Sequence, residues 1–244
     1  TGYTPGAGSC TISFTSANTH TGTWSIRSTS GGIQEAVIEA GFYGGVDLGC
    51  GTIEVYAPIK VSYRVSLAGC GVDSTYLHNN STTTGVINYT ALTPSADQDT
   101  FGGATFSGFT IYSGAKTNTA VDTTAADAVY ILGTGWNFTM RDVFIRNHTI
   151  GVHVVNGWSL TFDNVGARFF RDYGYYVERN LTLGAGTEAG AGAGGDINIQ
   201  NSYISNVGAT GTQTDTGCAA RIALWSGFYI DAMRTTATAY GLCL

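Results

Sequence analysis

Charged side chains are scarce in this 244-residue sequence, so the few that could share one face are the first candidates for chemistry. Asp163 and Asp231 are the two carboxylates that we single out. Two carboxylates about 6.5 to 9.5 Å apart can hydrolyse a glycosidic bond with inversion, one as general acid and the other as general base. This chemistry requires a fold that places both aspartates on one face at such a separation.

Arginines are concentrated in the middle of the chain, where five of the nine lie between Arg141 and Arg179 inclusive. A guanidinium binds a carboxylate through two parallel hydrogen bonds. Arg141, Arg146 and Arg168, together with Tyr112, are therefore candidate binding residues for an acidic sugar such as a uronate or a sialate. The alternative is that the arginine stems cover apolar surface and that local carboxylates such as Asp172 compensate their charge.

The composition excludes several classes of protein. Eleven basic against 17 acidic residues give a net charge of −6, and such a chain is a poor partner for nucleic acid, whose phosphates demand cations. Only 11% of the residues are charged and 35 are glycine, which argues against a coiled coil. No apolar run reaches the roughly 18 residues of a transmembrane helix. We expect a soluble, folded chain.

Motifs for metals, cofactors and activated nucleophiles do not stand out. The five cysteines include no CxxC pair. His20, His78, His148 and His153 show no ligand spacing, and each is expected to be a lone surface side chain. The sequence therefore predicts neither a metal nor a cofactor.

An internal repeat shows which elements must position the candidate residues. The stretch that begins at Trp136 aligns with the stretch that begins at Trp158, so that Phe138 falls on Leu160 and Val143 on Val165. Each copy is an alternating strand, a turn residue and a second alternating strand, and related patterns begin at 104 and 197. Alternation with period two in stacked units is typical of a coiled parallel β solenoid. An antiparallel sandwich would require Asn-Gly or Asp-Gly turns between the strands, and the only Asn-Gly pair, Asn156-Gly157, lies at the seam between the two copies.

Stacking of equivalent positions about 4.8 Å apart turns the outward residues into columns. The members of the first column are Ser107, Arg141, Asp163, Gln200 and Asp231, and their uneven spacing indicates loops of different length on the outside of the coil. The alternative for Arg141 and Asp163 is a solvated ion-pair ladder of little energetic weight. Members of the second column are Tyr112, Arg146, Arg168 and Ser205. A third set occupies tight turns with a structural role: Gly108, Asp142, Asn164 and Asn201.

The region before the repeats carries a resemblance. Residues 31–41, GGIQEAVIEAG, have apolar side chains at helical spacing and end on a glycine, which predicts one short amphipathic helix. The segments GCGTIEVY and LAGCG follow it. Together they resemble the N-terminal entry of the pectin-lyase-like right-handed parallel β-helix superfamily, which includes tailspike-type domains. The expected fold is an all-β solenoid over 31–244 with a short capping helix, after a Thr-, Ser- and Gly-rich segment, 1–30.

That resemblance implies a carbohydrate-engaging protein, outside the cell or on a virion surface, with a polysaccharide as partner. A polysaccharide lyase or a glycoside hydrolase is compatible with it. The Asn-Thr-Asp, Asp-Asp and Gly-His-Gly motifs that polygalacturonases would imply are absent from the sequence. The alternative function is a non-catalytic structural or adhesive subunit that stacks into a homo-oligomer, fibre or filament.

Cysteine spacing predicts two disulfide bonds. The interval between Cys218 and Cys243 is close to one turn, so their Cα atoms would stack within bonding distance. Cys50 and Cys70 are a weaker second pair, with a slightly shorter interval. Disulfide bonds would indicate an oxidising compartment, and the alternative is buried thiols.

Overall fold

The computed structural model describes most of the chain from residue 28 onward. The described ranges are 28–41, 43–61, 64–81, 83–90, 103–114, 126–133, 137–157, 159–178, 196–207, 217–223, 227–236 and 240–244. Most of the predicted N-terminal segment, including Cys10 and His20, lies outside them. The boundary at residue 30 remains a prediction.

One helix and sixteen strands make up the regular structure of these ranges. They are α1 (Ile33–Ala40), β1 (Gly45–Gly49), β2 (Gly51–Val55), β3 (Ile59–Val61), β4 (Ser66–Gly69), β5 (Thr75–Asn79), β6 (Ile87–Thr90), β7 (Thr105–Ser113), β8 (Val129–Leu132), β9 (Phe138–Val155), β10 (Leu160–Glu178), β11 (Ile197–Gln200), β12 (Tyr203–Val207), β13 (Cys218–Ala223), β14 (Phe228–Asp231), β15 (Arg234–Thr236) and β16 (Tyr240–Cys243).

All strand pairs between successive turns are parallel, and the chain winds as the predicted right-handed β-helix. The first face follows the order β1-β4-β7-β9-β10-β11-β14. The second face is formed by β2, β5, the later part of β7, β9, β10, β12 and β15. The third face is formed by β3, β6, β8, the ends of β9 and β10, β13 and β16. Strands β9 and β10 run through all three faces.

The core is the column of inward residues that the alternation predicts. Phe106, Met140, Phe162 and Ile199 lie on successive turns of the first face and are fully buried. Phe138 contacts Phe106 edge to face, with ring centroids 5.1 Å apart. Because one turn buries only one layer of these side chains, each turn depends on its neighbours for a dry core.

Helix α1 covers the core beside the first turn, as predicted. Ile33 and Val37 are buried, and Ala36 and Ala40 pack partly against the core. Gly41, with φ of 61°, ends the helix in a conformation that glycine adopts at little cost.

Tight turns between the first two faces use residues that tolerate a positive φ. Gly108, Asp142, Asn164 and Asn201 have φ between 51° and 71°. A Cβ atom on Gly108 would lie 2.8 Å from the carbonyl oxygen of Gly69, so glycine is required there. The Asn164 amide donates to Asp142 at 2.7 Å, which links two neighbouring turns. This set therefore has the structural role that the sequence predicts.

Both predicted disulfide bonds are present. Cys50 and Cys70 connect the first two turns, with Cα atoms 5.4 Å apart. Cys218 and Cys243 connect the last two, with Cα atoms 6.1 Å apart. The alternative of buried thiols is wrong.

Candidate functional site

The first column has the register that the sequence predicts. Ser107 pairs with Arg141, Arg141 with Asp163, Asp163 with Gln200 and Gln200 with Asp231. Two strand steps separate the two aspartates, which corresponds to about 9 to 10 Å. The fold thus brings the two predicted carboxylates onto one face, with Gln200 between them.

The two aspartates differ in their surroundings. Asp163 is half-buried and accepts a hydrogen bond from the Asn201 amide at 2.9 Å. Asp231 is exposed on β14. Within the described residues Asp163 forms no ion pair with Arg141, so the expected ion-pair ladder is wrong. Asp163 instead contributes to the amide ladder of the turns.

The second column also has the predicted register. Tyr112 pairs with Arg146, Arg146 with Arg168, and Arg168 with Ser205. The Arg168 Nε donates to Ser205 Oγ at 3.1 Å. Two guanidinium groups therefore lie on adjacent turns of one outward face.

One aromatic ring, that of Phe169, lies beneath both guanidinium groups. The Cζ atoms of Arg146 and Arg168 are 5.8 and 5.1 Å from its centroid. Burial, and then the charge of Arg168, lower the pKa of Arg146. The two arginines thus form one local concentration of positive charge, partly removed from water.

The groups expected to compensate these arginines have other partners. Asp172 forms an ion pair with Arg171 at 2.9 Å, so the expectation that it would compensate Arg146 and Arg168 is wrong. The Tyr112 ring stacks on His78, with centroids 4.5 Å apart. His78 in turn contacts the Glu54 carboxylate at 2.8 Å.

A third outward column, which the sequence analysis missed, runs along the third face. Tyr130 pairs with His153, His153 with Tyr176, and Tyr176 with Arg221. The His153 and Tyr176 rings stack at 4.8 Å, and Tyr130 meets His153 edge to face at 5.2 Å. The Arg221 guanidinium lies 5.5 Å from the Tyr176 centroid.

Two carboxylates hold the imidazole of this column. Asp127 contacts His153 Nδ1 at 2.6 Å, and Glu178 contacts Nε2 at 3.1 Å. Burial alone would lower the pKa of His153, but the hydrogen bonds and charges of Asp127 and Glu178 outweigh it, so this pKa is raised. The His153 side chain is 14% exposed, against 24% for Asp127 and 30% for Glu178. The carboxylates are thus the more accessible members.

Tyrosine hydroxyl groups extend this network. Tyr176 donates to Glu178 at 2.7 Å. Burial and the bond to Glu178 raise the pKa of Tyr176 to about 12, so the phenol stays protonated at neutral pH. Arg221 donates to the Tyr173 hydroxyl at 2.8 Å. The column thus carries hydrogen-bond donors, acceptors and both signs of charge.

The expectation of lone surface histidines is wrong for the three that the structure describes. His148 is fully buried, and its Nδ1 donates to the Arg146 carbonyl at 2.8 Å, which leaves Nε2 to accept from Asn79 at 3.2 Å. His78 and His153 are each bound to carboxylates. On an outward column, a histidine stays unpaired only where no side chain on a neighbouring turn can bind it.

Three further observations concern metal binding, membrane-spanning helices and a cavity away from the predicted site residues. Within the described ranges, no group of three or more histidine, cysteine, aspartate or glutamate side chains is placed to hold a metal ion. No helix in the described part of the chain has the length and apolar character to cross a membrane. A cavity of about 1060 Å³ lies between α1 and the first turn, lined by Ile33, Val46 and Leu48 among others, and contains none of the predicted site residues.

Comparison with known proteins supports the fold and leaves the activity open. No protein-family model matches the sequence, and no curated protein matches it. The catalytic domain of a GH87 alpha-1,3-glucanase in complex with nigerose matches with a TM-score of 0.53 and 16% identity, over 85% of this chain and 35% of that one. The D1045A variant of that domain matches with a TM-score of 0.53 and 15% identity, over 85% and 38%.

The chain spans about a third of the length of the glucanase domains that it matches. The Azotobacter vinelandii mannuronan C-5 epimerase AlgE6 A-module gives a TM-score of 0.41 at 13% identity, over 87% of this chain and 67% of that one. At these identities the glucanase likeness establishes the β-helix fold alone.

Proposed function

We propose that this chain binds an acidic polysaccharide along the second face of the β-helix, with Arg146 and Arg168 as the anion-binding pair. The observation that carries the proposal is their register: two guanidinium groups on adjacent turns share the Phe169 ring. Like charges so close repel, and a carboxylate between them would offset the repulsion. It would also reverse the lowering of the Arg146 pKa.

The remainder of the second column supports the arginines from beneath. Tyr112 and Ser205 lie on the turns before and after the arginines, but both side chains are buried, so the expectation that Tyr112 contacts the ligand is wrong; Ser205 Oγ instead accepts from Arg168. Arg141, which is exposed on the first face, offers a further cation. The glucanase match adds that the same fold accommodates a carbohydrate, since that structure contains nigerose.

Cleavage would extend this function to the first face. We place the acid and base on Asp163 and Asp231, whose separation of about 9 to 10 Å is near the upper limit for inverting hydrolysis. The alternatives are a lyase and a protein that binds without cleavage, and activity assays distinguish the three. The two disulfides support an oxidising location, outside the cell or on a virion.

Affinity electrophoresis in polygalacturonate gels tests the binding proposal. Arg168→Gln should weaken retardation at least tenfold, and Arg168→Lys should restore part of it, because an ammonium keeps the charge and loses the paired hydrogen bonds. Arg171→Gln is the matched control, since Arg171 is exposed and paired with Asp172. Equal retardation of Arg168→Gln and the wild type would refute the proposal.

The alternative function, a structural subunit that stacks into a fibre, has less support than polysaccharide binding. Exposed apolar side chains do occur on the last described turn, where Tyr229 is 60% and Leu242 is 42% exposed. A further turn of the same chain would cover them as well as a second subunit would. They therefore do not favour a fibre over a polysaccharide-binding domain.

A further inference from the structure

We propose that the third column is a second carbohydrate site, which binds an uncharged glycan through Asp127, Glu178 and Arg221. The inference rests on the proposal that the chain engages polysaccharides, and it assigns a different ligand class to a different face. Tyr130, His153 and Tyr176 form the wall from which these charged groups project.

The charge balance of this column differs from that of the arginine pair. Asp127 and Glu178 carry negative charges and Arg221 carries a positive one, and these charges balance when His153, between the two carboxylates, holds its second proton. Each charge lies beside an opposite charge or an aromatic ring. Such a surface has no net field to attract an anionic chain, in contrast to the second face.

The polar atoms match the hydroxyl groups of a sugar. Glu178 accepts from His153 through Oε1 and from Tyr176 through Oε2, and each carboxylate oxygen has a second lone pair for another donor. Arg221 is exposed and donates one hydrogen bond to Tyr173 out of the five that a guanidinium offers. Sugar hydroxyls can therefore donate to Glu178 and accept from Arg221 in one bound orientation.

Stability alone does not account for this concentration of charge. Partly exposed ion pairs contribute about 0 to 1 kcal/mol each. Only 11% of the residues in the chain are charged, yet three charged residues and a histidine meet on four consecutive turns of one face. A ligand that uses these groups explains why they are held together at the surface.

Affinity electrophoresis against dextran, pullulan, laminarin and galactomannan, with polygalacturonate beside them, tests the inference. At least one uncharged polysaccharide should retard the wild type. Glu178→Gln and Arg221→Gln should each weaken that retardation at least tenfold, whereas Arg168→Gln should leave it unchanged. Circular dichroism checks that each variant is folded. Arg221→Gln changes an exposed side chain and is therefore the variant least expected to disturb the fold.

The outcomes separate this site from the arginine pair. Absence of retardation by all four uncharged polysaccharides would overturn the inference, as would equal retardation of Arg221→Gln and the wild type. Loss of uncharged-glycan binding in Arg168→Gln would also overturn it, because one shared site would then suffice. Failure of the acidic-polysaccharide proposal has a separate signature, which is unchanged polygalacturonate binding in Arg168→Gln.

Discussion

The Gln34 side chain forms two hydrogen bonds with the backbone of Lys60, as a further strand would. Lys60 N donates to Gln34 Oε1 at 2.7 Å, and Gln34 Nε2 donates to Lys60 O at 3.1 Å. Lys60 lies in β3, the first strand of the third face, whose backbone has no preceding strand in the described part of the chain to pair with. Helix α1 thus protects a sheet edge with one amide side chain.

Replacement of Gln34 by alanine should expose that edge. We expect Gln34→Ala to lower the free energy of unfolding by about 1 kcal/mol, the usual net value of hydrogen bonds, and to speed hydrogen exchange at the Lys60 amide. Glu39→Ala on the same helix is the control, since Glu39 is exposed. Exchange at Lys60 that is equally slow in Gln34→Ala and the wild type would contradict the prediction.

The hydrogen bond between Asn164 and Asp142 on neighbouring tight turns predicts a graded loss of stability when Asn164, whose φ is 52°, is replaced. Asn164→Ala should destabilise the fold by about 1 to 2 kcal/mol for the left-handed backbone, in addition to loss of the bond to Asp142. Asn164→Gly tolerates the backbone angle and should lose only the hydrogen bond. Urea unfolding of both variants checks the order, and an alanine variant as stable as the glycine variant would contradict it.

The sequence was sufficient to predict the first two columns because one constant offset relates β9 to β10 from Phe138, which pairs with Leu160, to His148, which pairs with Phe170. Beyond that point the register shifts by one residue, so that Ile150 pairs with Tyr173. Such a shift moves every side chain to the other face of a strand. A constant offset would pair His153 with buried Tyr175 rather than with Tyr176, and it therefore concealed the third column.

Local partners were the second feature that the sequence could not predict. Asp172 follows Arg168 closely in the chain, yet it pairs with its direct neighbour Arg171. Phe169, which contacts both guanidinium groups, has a φ of 61° that no propensity indicates for phenylalanine. Strand register follows from periodicity, whereas side-chain pairing at a corner depends on backbone angles that periodicity does not contain.

Both disulfide bonds should protect their cysteines from alkylation. Without a reductant, iodoacetamide should label at most one of the five cysteines, Cys10, and after reduction and unfolding it should label all five. Each bond closes a loop of 20 or 25 residues and is expected to stabilise the fold by about 3 kcal/mol in the chain-entropy treatment. Intact mass measures the labels, and labelling of four or five cysteines without a reductant would contradict the pairing.

Stability should depend on pH through His153. Its pKa in the folded protein is raised above the ordinary value near 6.5, so the folded state binds the proton more tightly than the unfolded state. The contribution is complete below about pH 6.5 and is lost as the pH rises through the raised pKa. His153→Gln should remove it.

The measurement is the difference in urea midpoint between wild type and His153→Gln across this pH range, which cancels the titration of distant groups. The difference should shrink as the pH rises. Neighbouring Tyr130 and Tyr176 do not titrate in the window, because burial raises both of their pKa values above the usual 10. A difference that stays constant or grows with pH would show that His153 is not held as an imidazolium.

Catalysis, if the chain cleaves its polysaccharide, should depend on the charge of Asp163. Asp163→Asn keeps an oxygen that can accept from Asn201, so the turn ladder and the fold should survive while the carboxylate is lost. Removal of a general acid or base slows a reaction by about 10²- to 10⁴-fold, and the same loss is expected for Asp231→Asn.

Asp142→Asn is the matched control, because Asp142 accepts from Asn164 in the same kind of ladder and lies outside the first column. Release of reducing ends from polygalacturonate measures hydrolysis, and ultraviolet absorbance of an unsaturated product would indicate elimination instead. Turnover in Asp163→Asn equal to that of Asp142→Asn would remove the first column from the mechanism and leave it as a structural ladder.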